Sequence, residues 1–262
     1  MDCQAYNARL FEHVHGSLPE VTPRMLARIT WIADHVPGET ETILDVGAGR
    51  GHLSNLLLWR GYRVTSLELV AESLTNAKGG RVRGSGVALP FRDRSVDVVL
   101  CVEVIEHLQP DLLRATLHEL WRVARRYVMI TVPNNENLRE SLICCDRCGH
   151  VFHAWGHVER FDAVRLQTLY PIPPVQLHTA TRRERRYFVP LLTIRQKVFR
   201  TYGYDTYVVC PACGNSEIAE PQRPFPVKVL DRLNYWLGLK RDAGWLLALY
   251  DKCPAVQDRP TV

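Results

Sequence analysis

Residues 142–157, LICCDRCGHVFHAWGH, crowd three cysteines and three histidines into sixteen positions. Thiolate and imidazole are ligands for borderline-soft metal ions, and imidazole also changes protonation near neutral pH. Cys145 and Cys148 form the unit CDRCG, and Cys210 and Cys213 repeat it as CPACG. Each CxxC bends the chain so that two sulfurs point at one ion, and the following glycine permits the bend. Two such knuckles make a closed four-cysteine set with no position open for substrate. The expected role is therefore structural, with zinc as the ion. Packed thiols without metal and an iron–sulfur cluster fit the same four residues. The 61 residues between the knuckles exceed the usual spacing, and Cys144 competes with Cys145 as a ligand. Cys3, Cys101 and Cys253 are expected to stay outside the set.

A second group lies in EVIEH, where Glu103, Glu106 and His107 stand at i, i+3 and i+4. On one helical turn all three face the same way. Two carboxylates and an imidazole at that spacing can hold a divalent cation such as magnesium. His157, from GHVERF, supplies a later ligand. Without a metal, the glutamates are polar contacts and His107 or His157 is a base for proton removal. His150 and His153 read equally as surface residues, substrate contacts or partners of other side chains.

These groups need a frame. TILDVGAGRGHL, residues 42–53, runs from an apolar strand into glycines at 47, 49 and 51, and a helical pattern follows. Glycines there permit positive φ and close approach of a ligand, and the helix N-terminus beyond offers free N–H groups. The sixth position of the dinucleotide fingerprint is His52, so the spacing is GxGxG. A second strand, YRVTSLELV, ends at Glu68, placed to accept hydrogen bonds from ribose hydroxyls or to cap the next helix. A buried strand is expected over 96–102 (VDVVLCV) and another in RYVMITVPNN, with helices between. Such alternation implies a doubly wound parallel sheet.

LDVGAGRG, the acidic strand end, LPFRDRSVDVV, EVIEHL and ITVPN together resemble the class I S-adenosylmethionine-dependent methyltransferases. The resemblance is close over about residues 40–135 and looser to about 210. It implies an α/β, Rossmann-like seven-stranded methyltransferase sheet with an antiparallel last strand, here carrying a small four-cysteine zinc-knuckle lobe. It also implies S-adenosylmethionine as cofactor. Gly47, Ala48 and Gly49 would line its methionine part, Glu68 would hold the ribose, and Cys101 and Val102 would flank the sulfonium. Asp45 and Leu69 are expected among the other cofactor contacts. Where the family has Asp before LPF this chain has Ser85, so the adenine contact would fall to Ser85, Gly86 or Val87. EVIEH is similar to the same segment of ubiquinone-pathway O-methyltransferases and of small-RNA 2′-O-methyltransferases. In both, such residues plus a later histidine hold a metal. For this chain that implies a second site at Glu103, Glu106, His107 and His157, the same four expected to be catalytic.

Four regions are expected: an N-terminal helical cover over 1–40, a core over 41–143 and 158–210, a knuckle lobe over 144–157 with 210–216, and a C-terminal helical segment over 217–262. YDTYVV, residues 204–209, reads as the last strand, and a short helix is expected before Cys145. Tyr6 and Arg24 are candidate cofactor contacts. Four arginines within 182–186 read as a solvated face or a grip on an anionic substrate. The aromatic and basic tail reads as docked on the parent domain in preference to a membrane surface.

The chain has 262 residues, 46% of them hydrophobic and 23% charged, with a net charge of +5. That composition fits a globular protein and does not demand an anionic partner. There is no basic-then-apolar start and no apolar run near the ~20 residues of a membrane span, so a cytoplasmic protein with no transmembrane segment is expected. The sequence points to O-methylation of a small-molecule or sugar hydroxyl in a biosynthetic pathway. RNA 2′-O-methylation is the alternative enzyme reading, with RNA as partner. A non-catalytic binding protein on the same fold is the alternative from another class.

Overall fold

The computed structural model describes residues 21–185, 187–237 and 240–253. Cys3 and Tyr6 lie outside the described residues. The first described helix, α1 (Pro23–Asp34), opens with proline in its first turn, and the Thr22 hydroxyl accepts from the Met25 N–H at 3.2 Å. Both are features that start a helix. Its Ile29, Ile32 and Ala33 are buried.

The strands are β1 (Thr42–Val46), β2 (Arg63–Glu68), β3 (Gly80–Arg83), β4 (Val96–Val102) and β5 (Ala124–Pro133). Helices α2 (His52–Trp59) and α3 (Pro110–Val123) connect them. A short hairpin, β6 (Leu142–Cys144) with β7 (Val151–His153), forms a separate two-stranded sheet. Then follow α4 (Ala163–Gln167), β8 (Gln176–Arg185), α5 (Val189–Lys197), α6 (Phe225–Leu237) and β9 (Lys240–Asp251).

The main sheet has seven strands in the order β3-β2-β1-β4-β5-β9-β8. Strands β1 to β5 pair in parallel, and β9 runs antiparallel to both β5 and β8. Because side chains alternate along a strand, each strand feeds two cores. Leu44, Val46, Val99 and Cys101 pack with Leu113, Leu117 and Leu120 of α3 on one face. Ile43, Val98 and Leu100 pack with α1 and with Leu53 and Leu57 of α2 on the other. The result is an α/β sandwich with the sheet in the middle layer.

Two expectations need correction. The last strand is not residues 204–209, which lie outside every strand, but β9, so the 217–262 segment is not wholly helical. Leu246, Leu247, Ala248, Leu249 and Tyr250 are all buried, because β9 lies between β5 and β8 with a core on each face. A strand covered on both faces loses the alternation that marks a half-buried one. Second, the segment before Cys145 is strand β6 and not a short helix. CDRCG is the turn of a hairpin, and Ile143, Cys145, Phe152, Ala154, Val208, Cys210 and Ile218 form a small core of their own.

Candidate functional site

The parallel register sets three strand ends side by side. Val46 of β1 is level with Leu67 of β2 and with Cys101 of β4. The glycine turn leaves β1 here, and the N–H groups of Gly47 and Ala48 donate to Leu67 O at 2.9 and 3.1 Å. Gly47 has φ +77°, and a Cβ there would stand 2.3 Å from Val104 Cγ2. Gly51, at φ 74°, starts α2. Over this turn lies a cavity of about 270 Å³.

Its walls include Asp45, Gly47, Ala48, Gly49, Glu68, Leu69, Ser85, Gly86, Val87 and Val102. All ten are residues expected to bind cofactor. Cys101 does not line it; it is fully buried in the core on the α3 face. Glu68 accepts from Gly49 N–H at 2.9 Å and from Leu69 N–H at 2.8 Å, so the acidic strand end also braces the glycine turn. Burial pushes the Glu68 carboxyl up, against those donors. Burial pushes Asp45 up to about 6, helped by the charge of Glu68 and opposed by the Ser54 hydroxyl, which donates at 2.6 Å.

Met25, Arg28 and Ile29 of α1 also line the cavity, and sequence reasoning missed them. Arg28 pairs with Glu103 at 3.1 Å. Glu103 Oε2 further accepts from Trp245 Nε1–H at 2.8 Å, and Oε1 from the Thr131 hydroxyl at 3.3 Å. Arg24 lies 5.1 Å from the Trp245 ring centroid and is not part of the cavity wall. Glu103 holds φ +55°, a strained conformation for a residue with a side chain.

That backbone turn corrects the expectation that Glu103, Glu106 and His107 share one face. The helical turn covers Ile105–His107 alone, so the i, i+3, i+4 relation does not reach back to Glu103. Glu106, His107 and His157 do come together, with ligand atoms within 4.8 Å of one another. His107 lines the cavity. The His157 ring stands edge-on to it, with centroids 4.7 Å apart and planes at 78°. Glu106 is 1% exposed, and neither of its carboxylate oxygens has a hydrogen-bond partner among the described residues. Burial, then the charge of Glu103, pushes its carboxyl well above the usual range. Burial, then His157, brings His107 down to about 3. The Glu106 carbonyl accepts from the N–H groups of Val158 and Glu159 at 2.8 and 3.1 Å, which clamps the His157 loop in place. His157 also belongs to a second group, with Glu136 and His153, whose ligand atoms lie within 4.8 Å of one another.

The knuckle sulfurs Cys145, Cys148, Cys210 and Cys213 form a second cluster within 4.8 Å. Cys145 to Cys213 and Cys148 to Cys210 are both 3.6 Å. A tetrahedral zinc at ~2.3 Å from each sulfur sets S···S near ~3.8 Å, so the four residues fit the ion. Burial raises the Cys145 thiol, but the N–H groups of Cys148 and Arg147 outweigh it and bring it to about 7. Cys144, the last residue of β6, is outside the cluster, as are Cys101 and Cys253. His150 is exposed, with its ring stacked 6.2 Å from Phe152. Of the arginine cluster, residues 182–185 belong to β8, and Arg186 lies outside the described residues.

Residues 44–130 match the family model for a methyltransferase domain. An uncharacterized methyltransferase of Mycobacterium sp. (strain JLS) is 34% identical over 124 residues, 45% of this chain and 46% of that one. A ubiquinone biosynthesis O-methyltransferase of Azotobacter vinelandii is 34% identical over 130 residues, 45% of this chain and 54% of that one. The chain thus spans about half the length of the curated relatives it matches. Among solved structures, an S-adenosylmethionine-dependent methyltransferase from Archaeoglobus fulgidus has a TM-score of 0.53 at 14% identity, covering 86% of this chain and 92% of that one. The [4+2]-cyclase SpnF has a TM-score of 0.57 at 14% identity, covering 95% and 94%. The fold is therefore the α/β, Rossmann-like methyltransferase fold. A fold that also serves a cyclase does not fix the reaction, and that argument passes to the site. No described helix is long and apolar enough to cross a membrane.

Proposed function

We propose that this chain is an S-adenosylmethionine-dependent methyltransferase acting on a hydroxyl of a small molecule or sugar. One observation carries the reading. The glycine turn, Glu68 and the Ser85–Val87 loop converge on a single cavity whose wall also includes His107. In this reading Glu68 receives the ribose hydroxyls, Gly47 to Gly49 let the methionine portion approach the backbone, and Ser85 to Val87 meet the adenine. The sulfonium is then directed toward Val102 and His107.

The sulfonium methyl is already electrophilic, so the protein's task is to align the acceptor and remove its proton. The carbon–sulfur pair returns to sulfur as the new oxygen–carbon bond forms, and the hydroxyl proton leaves to a base. His107 stays neutral at pH 7 but takes a proton poorly, given its depressed pKa. The role of base therefore passes to the neighbouring imidazole, His157, whose ring stands edge-on to His107. Glu106, His107 and His157 also suit a divalent cation, because the buried Glu106 carboxylate has no other hydrogen-bond partner among the described residues. A bound cation would supply a lowered pKa for the acceptor hydroxyl. The four-cysteine set would hold a structural zinc that closes the long connection between the two knuckles.

The test is methyl transfer from labelled S-adenosylmethionine to a panel of phenols, sugar nucleotides and RNA. An alkali-stable O-methyl ether on a small acceptor supports the reading. Transfer to RNA alone, or to nitrogen, contradicts the acceptor class. Cofactor that binds but is never consumed on any acceptor favours a binding protein.

A further inference from the structure

Glu136 belongs to none of the motifs that pointed to chemistry, yet it lies between two imidazoles. Its Oε2 is 2.5 Å from His157 Nδ1, and its Oε1 is 3.6 Å from His153 Nε2. The protonation pattern of this group follows from the hydrogen bonds around it. His153 Nδ1 accepts from two backbone N–H groups, Trp155 at 3.3 Å and His157 at 3.2 Å. A ring nitrogen that accepts does not carry the hydrogen, so in neutral His153 the hydrogen is on Nε2, the atom facing Glu136. An ionised carboxylate only accepts, so the short contact to His157 is donated by Nδ1–H. The His157 Nδ1–H thus supports the Glu136 charge directly, while His153 Nε2, at 3.6 Å, stands just beyond hydrogen-bond reach of the other carboxylate oxygen. The two rings are stacked, 4.8 Å apart and 18° from parallel, with the carboxylate at their nitrogen edges.

We propose that Glu136 is the positioning residue of His157, fixing its Nδ1–H tautomer so that the Nε2 lone pair is the one available at the Glu106–His107 side. His153 holds Glu136 in place from behind. The inference rests on the reading of His157 as base or ligand, and it serves both, since either role needs a bare Nε2. It also decides between two descriptions of Glu136, His153 and His157, whose ligand atoms lie within 4.8 Å of one another. With Nδ1 occupied by backbone donors and Nε2 protonated, neutral His153 has no lone pair to give an ion. The trio is a relay of one carboxylate held between two imidazoles, hydrogen-bonded to His157 and in ion-pair range of His153, and not a metal triad. His153 is also the last residue of β7, and Phe152 before it packs against Cys145 and Cys210. The knuckle lobe therefore sets the anchor of the relay, which gives the lobe a role at the site without a ligand in it.

Long-range ¹⁵N–¹H NMR of the imidazoles in the full chain tests this. The wild-type spectrum alone decides the tautomers: His157 protonated on Nδ1 and His153 on Nε2 are expected. His157 protonated on Nε2 overturns the proposal, whatever the variants do. In Glu136→Ala the His157 signal should become a tautomer mixture, and kcat should fall roughly 10- to 100-fold. KM for S-adenosylmethionine should stay unchanged, because Glu136 does not line the cavity. Glu136→Gln, which keeps an acceptor oxygen, should recover part of both losses. An unchanged His157 tautomer in a folded Glu136→Ala protein overturns the proposal. Wild-type protein that shows these tautomers but binds no S-adenosylhomocysteine sinks the methyltransferase reading and leaves the relay standing.

Discussion

Trp245 Nε1–H and Arg28 Nη1 meet the same oxygen of Glu103, at 2.8 and 3.1 Å. One carboxylate thereby joins the last strand, the end of β4 and the helix α1 that roofs the cavity. The guanidinium also lies 5.2 Å from the indole centroid, so the pair is held twice. Trp245→Phe keeps the ring and removes the donor. It should destabilise the fold by about 1–3 kcal/mol, the usual worth of a hydrogen bond to a partly buried charged group. Urea melts check this. Affinity for S-adenosylhomocysteine should fall in the same variant, because Arg28 and Glu103 both line the cavity.

The glycine turn allows a sharper test. Gly47→Ala meets two separate obstacles, the positive φ and the approach to Val104 Cγ2 at 2.3 Å. The first costs roughly 1–2 kcal/mol and the second adds to it. Pairing Gly47→Ala with Val104→Ala should remove the clash and keep the φ cost. A double-mutant cycle by denaturant melts is expected to show favourable coupling of about 1 kcal/mol or more.

Asp45 links the site to pH. Its folded-state pKa is raised from 3.8 to about 6, so the protonated form favours folding below pH 4 and that advantage is lost as pH rises through 6. The ionised side chain then carries a folding cost of about 3 kcal/mol. His107 acts in the opposite sense. Its pKa is lowered from 6.5 to about 3, so stability falls as pH drops across that window. The wild-type melting curve mixes the two effects, and a difference at one site separates them. Asp45→Asn should melt above wild type at pH 7.5, and the gap should close below pH 4.

For the knuckle lobe, the expected zinc content is one per chain, falling in Cys148→Ser. Stripping the ion with a strong chelator should raise amide exchange at Phe152 and Val208, which share the small core with Cys145 and Cys210. Exchange in β1 and β4 should hardly change. Equal loss of protection in both places would mean that the lobe is not a separate unit.

What the sequence made legible was local. Gly47 and Glu68 lie at or just past the end of a strand, so recognising two strand–turn units was enough to bring them to one edge of a parallel sheet, whereas Ser85, two residues past the unrecognised β3, came from the resemblance alone. The CxxCG units were legible for the same reason, each being a turn of a few residues. Contacts between distant elements stayed hidden. Arg28, Glu136 and Trp245 carry no motif, and they become site residues because α1, the chain after β5 and strand β9 converge on one point. β9 itself escapes a reading by pattern because WLLALY, buried on both faces, has neither the alternation of a half-buried strand nor the stripe of a surface helix. The resemblance puts both Cys101 and Val102 at the cavity, but only Val102 lines it, because the Cys101 side chain packs into the core on the α3 face. Spacing groups Glu103 with Glu106, but that spacing holds for a helix and the chain is not helical until Ile105.

Titration calorimetry with S-adenosylhomocysteine tests the central claim most directly. The account predicts binding at one site per chain, weakened about 10- to 100-fold by Glu68→Ala through loss of the carboxylate that receives the ribose and braces Gly49. No heat from folded wild-type protein, or affinity untouched by Glu68→Ala, would contradict it.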